Sequence, residues 1–125
     1  IPQASVAYHM PISLNELNPV MYKEFERLGP FGPGNEVPVF MAEGVVTSIP
    51  PRTVGHGGRH LKLVVQASEN PGNRFEAIGF GMGERIDEVR GWRSFDLVFN
   101  LTRNTFRGRS TLNLHLIDIR AHKDV

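Results

Sequence analysis

At 125 residues, with 40% hydrophobic and 22% charged side chains, the chain has the size and balance of one globular domain, which excludes a disordered segment. It contains no cysteine, so a disulfide framework and thiolate metal sites are excluded, and it fits a reducing compartment. No apolar run approaches the roughly 20 residues of a membrane helix, and the net charge of +1 selects no partner by itself.

The chain opens Ile1-Pro2-Gln3-Ala4, without an initiator Met, a basic cluster or a signal-like apolar stretch, and reads as an excised piece of a longer protein. Residues 1–12 have no clear period and read as a linker, or a strand, from a preceding domain. Residues 13–37 form a lead-in. Asn18 is a good N-cap and Pro19 suits the first helical position. Met21, Phe25 and Leu28 then share one face of a short helix. An earlier start at Ser13, with Glu16 completing a capping box, would bury Pro19 inside the helix, so the shorter helix is preferred. Gly29 and Pro30 stop it. The run Gly29-Pro30-Phe31-Gly32-Pro33-Gly34-Asn35 reads as a rigid corner anchored by Phe31.

From Val37 onward the period is two. Strand one spans about Val39 to Ile49 and ends at Pro50-Pro51. Strand two is Arg59 to Ala67, with Leu61, Leu63, Val65 and Ala67 on one face and His60, Lys62, Val64 and Gln66 on the other. Asn70-Pro71-Gly72-Asn73 is a strong turn signal. Strand three is Arg74 to Met82, with Ile78, Phe80 and Met82 on one face and Ala77, Gly79 and Gly81 on the other. A short helix follows at about Gly83 to Val89. Strand four is Phe95 to Arg103, with Phe95, Leu97, Phe99 and Leu101 inward. A turn at Asn104–Gly108 leads to strand five, Arg109 to Arg120. Its inward set starts as Leu112, Leu114, Leu116 and shifts phase to Ile117 and Ile119, which predicts a bulge.

The fold class is therefore all-β with short helices. Five strands with a helix between the third and fourth is the order of the OB-fold, a five-stranded Greek-key barrel, here over 38–121 with a tail at 122–125. A β-sandwich is the main competitor.

No complete catalytic constellation is present. His56, His60 and His115 do not reach the three or four converging ligands of a metal site, so no metal is assigned. No serine lies in a Gly-x-Ser-x-Gly elbow, and no glycine run ends in a phosphate-loop Gly-Lys-Ser/Thr. Binding is better supported. Residues 1–50 hold two Lys/Arg against five Asp/Glu, and residues 51–125 hold twelve against eight, mostly arginine. An OB-fold takes up oligonucleotides on the face of strands two and three and on the loops between strands one and two and between four and five. Those loops contain Arg52 and Gly55-His56-Gly57-Gly58-Arg59, and Arg103 through Arg109. Gly79 and Gly81 would leave the open face bare. The candidate nucleic-acid-binding residues are Arg59, His60, Lys62, Arg103, Phe106, Arg107 and Arg109. The cations meet phosphates, and Phe106 stacks on a base or else folds back as a core plug. Trp92 reads as core.

The segments Leu28-Gly29-Pro30-Phe31-Gly32-Pro33-Gly34-Asn35 with Pro38-Val39-Phe40, His60-Leu61-Lys62-Leu63, Ala77-Ile78-Gly79-Phe80-Gly81-Met82-Gly83, Asn104-Thr105-Phe106-Arg107-Gly108 and Leu114 through Ile119 together resemble the C-terminal OB domain of RecJ-type single-stranded-DNA exonucleases. The resemblance spans about residues 13–121. It implies a bacterial, cytoplasmic parent enzyme of DNA repair and recombination that degrades single-stranded DNA from the 5′ end with manganese or magnesium. It further implies that this domain holds the strand, with single-stranded DNA, the preceding catalytic domains and a single-strand-binding protein as partners. The family's Asp-His-His motif is absent, Asn113 stands where a glutamine is expected, and Phe106 stands where tryptophan is usual. A structural or protein-interaction module of the same enzyme is the alternative.

Overall fold

The computed structural model describes residues 10–27, 38–67 and 70–123. The expected Gly/Pro corner around Phe31, and Leu28 of the expected helix face, lie outside the described residues.

Strand β1 (Met10–Pro11) is followed by a single 3-10 turn (Leu14–Glu16) and helix α1 (Pro19–Glu26). Both expected helix starts are used, each by its own element. Ser13 and Glu16 form a complete capping box on the 3-10 turn. Asn18 caps α1, its Oδ1 accepting from the Met21 N–H at 2.8 Å. Pro19 therefore interrupts nothing: it opens the second helix after the first has ended.

The remaining elements are β2 (Phe40–Thr47), β3 (Arg52–Val54), a 3-10 turn (His56–Gly58), β4 (His60–Ala67), β5 (Asn70–Gly79), a 3-10 turn (Gly83–Arg85), α2 (Ile86–Arg90), β6 (Phe95–Phe106) and β7 (Arg109–Ala121). The chain is mostly β and OB-like. Among the described residues its sheet contains seven strands, in the order β1-β2-β6-β7-β5-β4-β3, where five were expected. The two extra strands, β1 and β3, have two and three residues, too short to show a period in sequence.

An additional pairing of β2 with β4 closes the sheet on itself. The closure has a local cause. The β2–β6 register shifts between Ala42 and Val45, and Gly44 there has φ +68°, so an extra residue bends β2. Its first half can then lie beside β1 and its second half beside β4. The Gly44 N–H donates to Asp96 Oδ1 at 3.1 Å, and His122 Nδ1 lies 2.8 Å from the same oxygen. The one buried charged side chain among the described core residues is thus held at the bend.

The inward sets of β4 (Leu61, Leu63, Val65, Ala67) and β6 (Phe95, Leu97, Phe99, Leu101) are all buried, as their alternation predicts. Leu14, Leu17 and Val89 join the same core from the lead-in and from α2, and Trp92 packs against it. Three details differ from the alternation. First, Asn70–Asn73 belongs to β5. The ladder pairs Gln66 with Arg74 but Ala67 with Asn70, so these turn-forming residues make a looped-out irregularity. Second, Ile117 points out. It is the extra residue where Val98 pairs with Asp118 and Phe99 with Leu116, so the bulge is present but the inward set resumes only at Ile119. Third, β6 continues to Phe106, which leaves Arg107 and Gly108 as a two-residue turn.

Candidate nucleic-acid interface

On β4 the side chains that alternate with the core set, His60, Lys62, Val64 and Gln66, line the outside of the ring. On β5 the core set is Phe75, Ala77 and Gly79, so Arg74, Glu76 and Ile78 face outward and Phe80 follows them. This inverts the expected phase of that strand. Gly79 does not leave the open face bare, because it lies on the inner one. A Cβ there would come within 2.5 Å of Met82 Sδ, and the Met82 side chain occupies the space. Gly81 lies in the following turn with φ +74°, a conformation glycine adopts without strain.

The inversion brings Phe80 to the surface, 54% exposed. Its ring lies between two imidazoles, nearly perpendicular to each: His60 at 5.1 Å and His115 at 4.9 Å between centroids. His60 is itself fixed, its Nδ1 accepting from the Gly81 N–H at 2.9 Å. That bond requires Nδ1 to be unprotonated. The three rings make an exposed aromatic platform across β4, the β5 end and β7. Phe80 and His115 were not among the expected site residues. The available signal was Phe75, whose parity with Ala77 and Gly79 places that set inward.

The expected residues divide. Lys62 Nζ is ion-paired with Glu76 Oε1 at 3.1 Å, which offsets its charge on the open face. Arg59 is exposed beside His60, and its carbonyl accepts from the Gly83 N–H at 2.9 Å. Arg103 does not join the others. It pairs across the ladder with buried Leu112, and its guanidinium lies over the Tyr22 ring at 5.7 Å. It holds α1 against the hairpin.

Phe106 does not fold back. It is 71% exposed at the last position of β6, opposite Arg109, which is exposed as well. The Arg107 guanidinium covers its ring at 5.2 Å. Arg107 and Gly108 have φ of 52° and 79°, the pattern of a tight hairpin turn whose twist matches its strands. The distal β6–β7 hairpin, from about Asn104 to Arg109, is exposed at every position.

Among the described residues no group of three His, Cys, Asp or Glu could hold a metal ion, and no helix is long and apolar enough to cross a membrane. His60 and His115 have the Phe80 ring between them, so they do not converge on a common point.

An OB-like closed sheet whose outer face carries exposed aromatic rings and flanking arginines defines the class of fold to which this chain belongs. More specifically, the chain belongs to the RecJ OB domain family, whose model matches residues 8–118. It is similar to RecJ from Thermus thermophilus solved in complex with Mn2+, at 20% identity and a TM-score of 0.59 over 86% of this chain. The same protein solved with Mg2+ gives 18% identity and a TM-score of 0.60 over 93% of this chain. This chain spans 14% and 16% of those RecJ chains. It is also similar in fold to Rim1, a mitochondrial single-stranded DNA binding protein of S. cerevisiae, at 17% identity and a TM-score of 0.50. That match covers 72% of this chain and 100% of Rim1. No curated protein matches the chain.

Proposed function

We propose that this chain is a single-stranded-DNA-binding OB domain of a RecJ-like 5′–3′ single-stranded-DNA exonuclease, and that it positions the strand for a catalytic core outside this chain. The observation that carries the reading is the Phe80 platform: a solvent-open ring on the outer face of β4 and β5, flanked by His60 and His115. Every base has a π-face, so such a ring takes up single strands with little regard to sequence. Family membership supports the reading, as does likeness in fold to a protein named for single-stranded DNA binding. We read the ring β2–β6–β7–β5–β4 as the five-stranded Greek-key barrel of the OB-fold, with β1 and β3 appended. In this reading Phe80 and Phe106 stack on bases, while Arg59, Arg107 and Arg109 meet phosphates, with a smaller part for Lys62. Arg103 serves to dock α1. Metal-dependent cleavage with Mn or Mg, in a bacterial cytoplasm, belongs to the parent enzyme.

Titration of the chain with a fluorescent oligothymidylate at two salt concentrations tests this. About four phosphate contacts give a log–log salt slope near about −3 for a single strand. Phe80→Ala weakens binding by roughly 1–3 kcal/mol, the usual worth of one stacked base. Absence of binding at low salt, or binding indifferent to salt, overturns the proposal.

A second reading, a structural or protein-interaction module, draws on the engagement of Lys62 with Glu76 and of Arg103 with Tyr22, which leaves fewer cations for phosphate. It expects Arg107→Glu and Arg109→Glu to leave DNA affinity unchanged.

A further inference from the structure

We infer that the open face grips a single strand at two separate aromatic stations, Phe80 and Phe106, with the strand running along β7 between them. This rests on the DNA-binding reading above.

The register carries the inference. The β6–β7 ladder pairs Phe106 with Arg109, Asn104 with Thr111, Thr102 with Asn113 and Asn100 with His115. These residues alternate with Leu101, Leu112 and Leu114, which face the core. All eight therefore lie on the outer side of the ribbon. His115 pairs in turn with Ile78 of β5, and its ring meets Phe80 at 4.9 Å. Phe80 and Phe106 thus open on the same face, at its two ends. The stretch of β7 from Arg109 to His115 separates them by about 20 Å at the rise of an antiparallel strand.

Between the stations the face is of another kind. Asn113, Thr102, Asn104 and Thr111 offer amides and hydroxyls and no ring, and Glu76, beside Asn113 in the ladder, has its charge offset by Lys62 at 3.1 Å. They can hydrogen-bond to bases, sugars or phosphates but cannot stack with them. Each station has its own exposed cations, Arg59 at the Phe80 end and Arg107 with Arg109 at the Phe106 end. A strand stacked at about 3.4 Å per nucleotide needs about six nucleotides to reach from one station to the other. Shorter oligonucleotides occupy one station at a time. Longer ones bind the second station as an intramolecular event, which raises affinity without any new contact.

The test is the affinity of the chain for oligothymidylates from about three to about twenty nucleotides, bracketing the site sizes common to OB domains. Affinity is expected to step up at least about tenfold once the oligonucleotide spans both stations. Phe106→Ala removes the step while the shortest oligonucleotides still bind. Phe80→Leu, which keeps an apolar side chain between His60 and His115, does the same from the other end. Binding that grows smoothly with length, or a step that survives Phe106→Ala, overturns the two-station inference and leaves the DNA-binding reading standing. No binding at any length in low salt overturns both.

Discussion

Gly83 shows how a single residue can hold two parts of the outer face together. Its N–H donates to the Arg59 carbonyl, and a Cβ on it would overlap the Gly58 carbonyl oxygen and lie 2.8 Å from the Arg59 carbonyl carbon. Both obstacles are backbone, so no side chain can swing away to make room. Gly83→Ala is expected to cost about 1–3 kcal/mol, the range of an overpacked site, and urea unfolding measures it. Gly57 is the control. A Cβ there meets nothing within 4 Å, and its φ of +69° makes the cost conformational only, about 1–2 kcal/mol. The same scale explains which placements could be read in advance. The exposure of Arg59, Arg107 and Arg109 and the outward position of His60 follow from loop composition and strand parity. Phe80 does not, because Ile78, Phe80 and Met82 alternate as an inward set would. The parity of Phe75 with Ala77 and Gly79 points the other way, and the burial of that set, with Met82 filling the space at Gly79, decides the phase.

Among the elements, the lead-in matters more than its length suggests. Leu14 and Leu17 are almost wholly buried although they belong to a single 3-10 turn and its C-cap. That turn is tied down from both sides, by its capping box and by the Asn73 Nδ2 bond to the Leu14 carbonyl at 3.3 Å. It therefore acts as part of the core. Leu17→Ala is expected to destabilise the chain by about 2–5 kcal/mol, as for other buried leucines, against a small effect for truncating exposed Val20 on α1. Thermal or urea unfolding distinguishes the two. Strands β4 and β6 were legible because each has one face buried and one open, which enforces alternation. The Asn70–Asn73 run misleads because turn-forming residues also suit an irregularity that loops out of a ladder. Ile117 misleads because an apolar residue at a bulge has no face assigned to it by parity. The long β6–β7 pairing passes beyond the core, where Asn104 and Thr105 read as loop by composition and are strand by pairing.

At the scale of the whole molecule, the OB-like order was readable because the sequence of long elements is itself the topology. What was not readable is how the sheet ends. On the free side of β2 lie Met10 and Pro11, paired in parallel. The bonds come from every second residue: the Met10 N–H donates to the Val39 carbonyl at 2.8 Å and the Ile12 N–H to the Met41 carbonyl at 2.9 Å. Pro11 falls between them, at the position whose N–H would point away from the sheet, and it has none to offer. The outermost strand thus presents almost no donors to solvent, which is how a sheet avoids recruiting a strand from another molecule. A chain shortened to begin at Ile12 would bare the β2 edge at Phe40 and Met41. It is expected to self-associate with rising concentration, as sedimentation velocity would show, while the full chain does not. Two solvent-exposed residues thereby decide whether this edge of the sheet stops at this molecule or continues into the next.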